Sequence, residues 1–176
     1  MRTSQKTLAV VAILIALCAL AVVMVSAAPA APNAVTVTKT VDPKIIKPDC
    51  ANCVLTYTIV LTTNETSVSG VLTDVLPVYL SFDRWLQEPA GAGRTGDVIT
   101  WTGTIASGTP VELAFTVKLP DYQTLQGVVA TGQIVNTACF GRLDGTAILP
   151  PEVCGSATTV FYRYIFLPLV MRNFAG

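Results

Sequence analysis

The stretch Val111-Glu112-Leu113-Ala114-Phe115-Thr116-Val117-Lys118-Leu119 puts Val, Leu, Phe, Val and Leu at its odd positions and Glu, Ala, Thr and Lys between them. A period of two is that of an extended strand, whose side chains point alternately to opposite faces. The odd set is expected on a core and the even set toward water. Working outward, Leu55, Tyr57, Ile59 and Leu61 alternate with Thr56, Thr58 and Val60. Further upstream, Val35, Val37, Lys39 and Val41 alternate with threonine at every even position. Threonine suits a solvated strand face, because its branched side chain fits the pleat and its hydroxyl can be hydrated.

Further strands are expected over Val71–Leu76, Tyr79–Asp83, Val98–Thr104, Val128–Phe140 and Ala157–Tyr162. Asp42-Pro43, Gly91-Ala92-Gly93, Ser107-Gly108, Pro120-Asp121 and Pro150-Pro151 supply turns between strands. Seven to eight short strands with such punctuation predict an all-β fold, an antiparallel two-sheet sandwich. Greek-key connections would place some sequence neighbours in different sheets. After the N-terminal segment no stretch has a helical period, and the pattern occurs once, without internal repeat.

Arg2 and Lys6 precede an unbroken apolar run from Leu8 to Val25, and Ser26, Ala27 and Ala28 follow. A basic start, an apolar helix and small residues at the end form a secretory signal peptide, with cleavage between Ala27 and Ala28. The run is close to the ~20 residues that span a bilayer. An uncleaved N-terminal anchor is therefore the alternative, and would be the chain's only membrane contact. Cys18 follows Leu17, where lipoprotein processing needs a small residue, so it reads as an apolar filler. The expected organisation is signal peptide 1–27, proline-containing spacer 28–33, sandwich 34–162 and apolar C-terminal tail 163–176.

Composition excludes several functions. Eleven basic and eleven acidic side chains balance, which leaves no basic stripe to neutralise nucleic-acid phosphates. The chain has no histidine, which removes Ser-His-Asp and Cys-His catalysis and the usual His-containing zinc sites. Asp83, Glu88 and Asp97 flank a glycine-rich loop. They invite comparison with a glycosidase carboxylate pair or a calcium site. Their spacing matches no calcium loop and nothing sets two carboxyls at a catalytic separation, so they read as solvated loop charges. Asp74 reads as a turn-former whose carboxylate accepts backbone N–H groups, and Asn136 as a partner for the backbone of a neighbouring loop. Trp101 alternates with Ile99 and belongs to the core. Trp85 lies in an expected loop, as a partly buried anchor or as a platform for a sugar ring. Asn64-Glu65-Thr66 is an acceptor sequon, a pattern short enough to arise by chance. Cys50, Cys53, Cys139 and Cys154 outlast cleavage, and an exported chain is expected to hold them as disulfides. Four cysteines allow three pairings. Cys50-x-x-Cys53 follows Pro48-Asp49 and precedes a strand, unlike a redox pair at a helix start. No metal or other cofactor is called for.

Val-Thr-Val-Thr-Lys-Thr-Val (35–41), Leu-Thr-Tyr-Thr-Ile-Val-Leu-Thr (55–62), Leu-Thr-Asp-Val-Leu-Pro (72–77), Ile-Thr-Trp-Thr-Gly (99–103) and Ile-Val-Asn-Thr-Ala (134–138) stand in the order and spacing of a known family. Over about residues 34–162 the chain resembles the conserved repeat domain, also called the eleventh domain of unknown function. That resemblance implies an extracellular, immunoglobulin-like β-sandwich module of bacterial or archaeal surface proteins. The family has no established catalytic residues to carry over. Where its members often have an Asn-Thr pair after the second motif, this chain has Thr62-Thr63-Asn64-Glu65-Thr66. Members often carry cysteines at the positions of Cys139 and Cys154, which implies that pairing and leaves Cys50 with Cys53. Closing a loop of ~15 residues stabilises by about 3 kcal/mol in the chain-entropy picture. The tail Tyr164-Ile165-Phe166-Leu167-Pro168-Leu169-Val170-Met171-Arg172 is similar to short Leu-Pro-Leu-Val-type endings of secreted bacterial proteins. It is too short to span a bilayer, and Pro168 suits it to an edge strand or extended strip.

Two functions follow as expectations. The first is a non-enzymatic structural or adhesion module, secreted or held at the cell surface. Its partners would be envelope or surface proteins, or further copies joined through the tail. The second is a carbohydrate-binding or hydrolase-accessory domain, resting on Trp85 and the loop acids.

Overall fold

The computed structural model describes residues 35–47, 53–129 and 132–162. The signal segment, Ala27 and Ala28, the spacer, Cys50 and the tail from residue 163 lie outside them. In chain order the elements are β1 (Val35–Asp42), β2 (Ile45–Ile46), β3 (Val54–Thr63), β4 (Ser67–Val75), β5 (Ser81–Gln87), β6 (Ala92–Thr95), β7 (Val98–Ala106), β8 (Val111–Lys118), helix α1 (Tyr122–Val128), β9 (Gln133–Asp144) and β10 (Ala147–Phe161). One sheet has the order β1-β3-β8-β5 and the other β2-β10-β9-β4-β7-β6. Every strand pair is antiparallel except the short β2–β10 contact. The fold is an immunoglobulin-like β-sandwich, and the chain changes sheet at every connection between successive strands except β6–β7 and β9–β10.

The alternating faces meet in the interior. Leu55, Tyr57, Ile59 and Leu61 of β3 and Leu113, Phe115 and Val117 of β8 are completely buried. They oppose Leu72, Ile99, Trp101, Ile134 and Phe140 of the second sheet. Tyr57 stands beside Phe115 in the β3–β8 ladder, their ring centres 5.7 Å apart. The outer threonines of β1 are exposed. Close approach between the sheets requires glycine at position 155, where a Cβ would lie 2.5 Å from the Val37 carbonyl oxygen.

The structure departs from the sequence expectations in several places. Ten strands are present among the described residues. The additions are β2 and β6, too short to display an alternation. Tyr122–Val128 is a helix rather than the lead-in to a strand. Asp121 caps it by accepting the Thr124 amide at 2.9 Å. Tyr122 and Leu125 of the helix and Val129, which follows it, are buried, a helical spacing that so short a segment scarcely displays. Strand β9 begins at Gln133 and runs on to Asp144. Pro150-Pro151 is no turn: it falls inside β10, where the pairing with β9 shifts between Leu149 and Val153. The reversal is instead at Gly145, with φ of 62°. On β8, Ala114 and Thr116 are buried, although their parity faces away from the core. The β5 register is irregular between Phe82 and Arg84. It brings Asp83 and the Arg84 carbonyl over Thr116, whose hydroxyl donates to them at 3.1 and 3.4 Å.

Candidate functional site

The densest polar chemistry lies inside the sandwich. The alternation of β1 points Lys39 inward with Val37 and Val41. In the facing sheet, Asp74 of β4 is paired with Ala138 of β9. Asn136, two residues along β9, projects from the same face as Ala138. Lys39 Nζ donates to Asp74 Oδ2 at 2.5 Å, and both side chains are fully enclosed. Asn136 Nδ2 donates to the same oxygen at 3.5 Å. The ammonium lies 5.0 Å from the centre of the Tyr57 ring. Asp74 Oδ1, Asn136 Oδ1 and the Tyr57 hydroxyl are buried and have no hydrogen-bond partner among the described residues.

Removing an ion pair from water carries a desolvation cost of several kcal/mol per ion, offset only by close pairing. Burial pulls the Lys39 ammonium down from its ordinary 10.5 to about 8, against the opposing pull of Asp74. Burial also pushes the Asp74 carboxyl up, although Lys39 and Asn136 favour its charged form. Both shifts act toward a neutral amine beside a neutral acid. The Tyr57 hydroxyl is raised by burial and by the nearby Asp74 charge.

This arrangement corrects two readings of the sequence. Asp74 is a strand residue inside the core, not a turn-former. The partner of Asn136 is the Asp74 carboxylate, not a loop backbone. Lys39 was legible only as a member of an inward-facing set. The signal was present in the pattern: Lys39, Asp74 and Asn136 each share the parity of apolar neighbours, namely Val37 and Val41, Leu72 and Leu76, and Ile134 and Ala138.

The other candidates are dispersed. Cys139 and Cys154 form a disulfide. They stand opposite each other within the β9–β10 ladder. Glu152 lies near both sulfurs, yet the disulfide leaves neither as a thiolate for a metal. Cys53 is disulfide-bonded. Trp85 is in strand β5 rather than a loop. It is half-buried, edge-on to Phe82 at 5.4 Å and to Phe115 at 5.8 Å. Trp101 is buried and donates its indole N–H to the Ala90 carbonyl at 3.0 Å. Asp83 pairs with Lys118 at 2.7 Å and with Arg84 at 3.7 Å. Glu88 and Asp97 are exposed, and no cluster unites them with Asp83 among the described residues. Glu65, within the sequon, forms a two-pronged pair with Arg142 at 2.7 and 2.9 Å. A cleft of about 300 Å³ near Thr62, Ala106, Thr109 and Pro110 has no ionisable side chain in its lining among the described residues.

The chain matches no protein-family model and no curated protein sequence. Its fold is similar to the N-terminal domain of the Streptococcus gordonii adhesin Sgo0707. The TM-score is 0.51 at 12% identity, covering 72% of this chain and 32% of that one. It is more loosely similar to the sporulation control protein Spo0M of Bacillus subtilis, with TM-score 0.46, 13% identity and coverage of 76% and 51%. The full-length major pilin SpaD of Corynebacterium diphtheriae gives a TM-score of 0.44 at 19% identity, with coverage of 70% and 34%. This chain thus spans about a third of the length of the adhesin structure. At these identities the likeness is one of fold.

Proposed function

We propose that this chain is an exported, non-enzymatic structural or adhesion module of the cell surface, related to the conserved repeat domain. The observation that carries this reading is the sealing of the Lys39–Asp74 cluster, whose side chains have no exposure to solvent. A group without solvent contact cannot meet an external substrate, so this cluster serves the framework. The described acids outside it are dispersed or paired with cations, which does not build a hydrolytic site. An adhesin domain among the similar folds and a disulfide across the β9–β10 ladder support an oxidising, extracellular setting. The apolar tail beyond Tyr162 then serves for attachment or for assembly by strand addition to a sheet edge.

Fractionation and surface proteolysis of cells expressing the full chain test this reading. Protease-accessible protein in the envelope or medium is the expected result, and protein confined to the cytoplasm would overturn it. Truncation after Tyr162 is expected to preserve the melting temperature while abolishing surface retention or self-association. A glycan array showing specific binding that disappears in Trp85→Ala would favour the carbohydrate-binding alternative.

A further inference from the structure

The Lys39 cluster holds the parts of a reaction between its own members. Lys39 Nζ and Asn136 Nδ2 both lie on Asp74 Oδ2, at 2.5 and 3.5 Å. Their separation therefore cannot exceed the sum of those two distances. An amine, a carboxamide and a carboxyl group are confined together without exposure to bulk water. Two of the carboxamide and carboxyl oxygens, Asn136 Oδ1 and Asp74 Oδ1, have no partner among the described residues. Buried polar atoms are seldom left so.

We propose that Lys39 and Asn136 join in an intramolecular amide bond across the sandwich, with Asp74 as the proton carrier and ammonia as the leaving group. The atoms balance without an oxidant or co-reactant. Lys39 first passes a proton along its contact to Asp74 Oδ2, leaving a neutral amine and a protonated acid. The Asn136 carboxamide turns over about its terminal bond, so that Oδ1 replaces Nδ2 beside Asp74, and the acid then donates to that oxygen and polarises the carbonyl. The Nζ lone pair attacks Asn136 Cγ and the new C–N bond forms. Asp74 moves a proton from Nζ to Nδ2, the Cγ–Nδ2 bond breaks, and ammonia departs. A secondary amide remains between β1 and β9.

Three features favour this step. Burial lowers the Lys39 pKa and raises that of Asp74, so the first proton transfer is eased. Fixed neighbours replace a bimolecular encounter by an intramolecular one. Exclusion of water protects the carboxamide from hydrolysis. The bond would tie the first strand of one sheet to a central strand of the other and resist their separation under load. This inference rests on the cluster and not on the surface reading, so its failure would leave that reading intact.

Peptide mapping of the purified full chain by tandem mass spectrometry, after reduction and alkylation of cysteines, is the test. The expected product is one peptide pair joined at Lys39 and Asn136, lighter than the two peptides together by one ammonia. Trypsin should fail to cleave after Lys39. The link should vanish in Lys39→Arg and Asn136→Ala, and fall at least tenfold in Asp74→Ala. Separate, unmodified Lys39 and Asn136 peptides from the folded wild-type chain would overturn the proposal. So would ammonia loss confined to the Asn136 peptide, the mark of a succinimide. Undiminished linkage in Asp74→Ala would overturn the role of Asp74. If a variant does not fold, the wild-type map still decides whether the bond exists.

Discussion

Two lysine–aspartate pairs of nearly equal length occupy opposite environments in this protein. Lys39–Asp74 spans 2.5 Å between the sheets with neither side chain exposed, whereas Lys118–Asp83 spans 2.7 Å at the outer face of the β5–β8 edge with the lysine 62% exposed. Their carboxyls shift in opposite directions. Asp83 is held below its ordinary value, first by its hydrogen bond from Lys118. Asp74 is pushed above it, because desolvation outweighs the attraction of Lys39. The contact is the same in kind, and the surrounding dielectric decides whether it stabilises charge or favours proton exchange.

The sharpest way to break this comparison is to remove each lysine in turn. Lys39→Ala is expected to lower stability in urea unfolding by about 3–5 kcal/mol, since Asp74 would be left without its buried partner. Lys118→Ala should produce no comparable loss, because solvent and Arg84 remain beside Asp83. Similar midpoints for the two variants would refute the distinction.

A second test concerns the covalent support beside the cluster. The double substitution Cys139→Ser, Cys154→Ser is expected to cost about 3 kcal/mol, from the loop-closure entropy restored to the unfolded chain. An unchanged thermal midpoint would mean that the hairpin alone holds the β9–β10 register.

The third test uses proton linkage in Asn136→Ala, where the Lys39 amine must stay free. The native amine titrates near 8 and the unfolded amine near 10.5. Between about pH 8 and pH 10 the unfolded chain therefore binds more protons, and the stability of the variant should rise with pH by roughly 2 kcal/mol. Above that range the raised Tyr57 hydroxyl acts in the opposite direction, since the unfolded tyrosine ionises first. A wild-type Lys39 held in an amide does not titrate and should lack the rise. The same rise in wild type would count against the bond.

The smallest expected effect is at Thr116. Its hydroxyl is buried and donates to Asp83 at 3.1 Å, so Thr116→Ala should cost about 1 kcal/mol. The fully buried Phe115→Ala should cost ~3–5 kcal/mol in the same thermal-unfolding series. A neutral Thr116→Ala would restore that position to the solvated face that its parity suggests.

Much of the fold was legible because burial on one face writes itself into a strand as a period of two. Val111–Leu119, Leu55–Leu61 and Val35–Val41 each display that period, and each became a strand with its apolar set inward. Helix α1 was not legible, since its buried Tyr122 and Leu125 lie in a single short segment next to an apolar run. Nor was β6, whose Gly-containing sequence owes its extended form to pairing with β7. At the site, the sequence marked Asp74 and Asn136 as unusual but assigned them local partners. Asn136 bonds to Asp74 itself, and the partner of Asp74, Lys39, precedes it by 35 positions and sits on the other sheet.

The sequence by itself determined the all-β class, the inward faces of the principal strands and the lack of any histidine-based chemistry. These follow from composition and from side-chain alternation, which are properties of the chain read locally. Only the tertiary structure decided that three polar residues on three apolar faces meet at one point. It also decided that Thr116 lies under the edge of β5, and that Cys139 faces Cys154 within a ladder. Those outcomes depend on sheet order and strand register, which arise from pairing between distant segments and leave no local periodic trace. The chemistry of Lys39 follows from that enclosure, because the energy of a charge depends on what surrounds it more than on its neighbours in sequence.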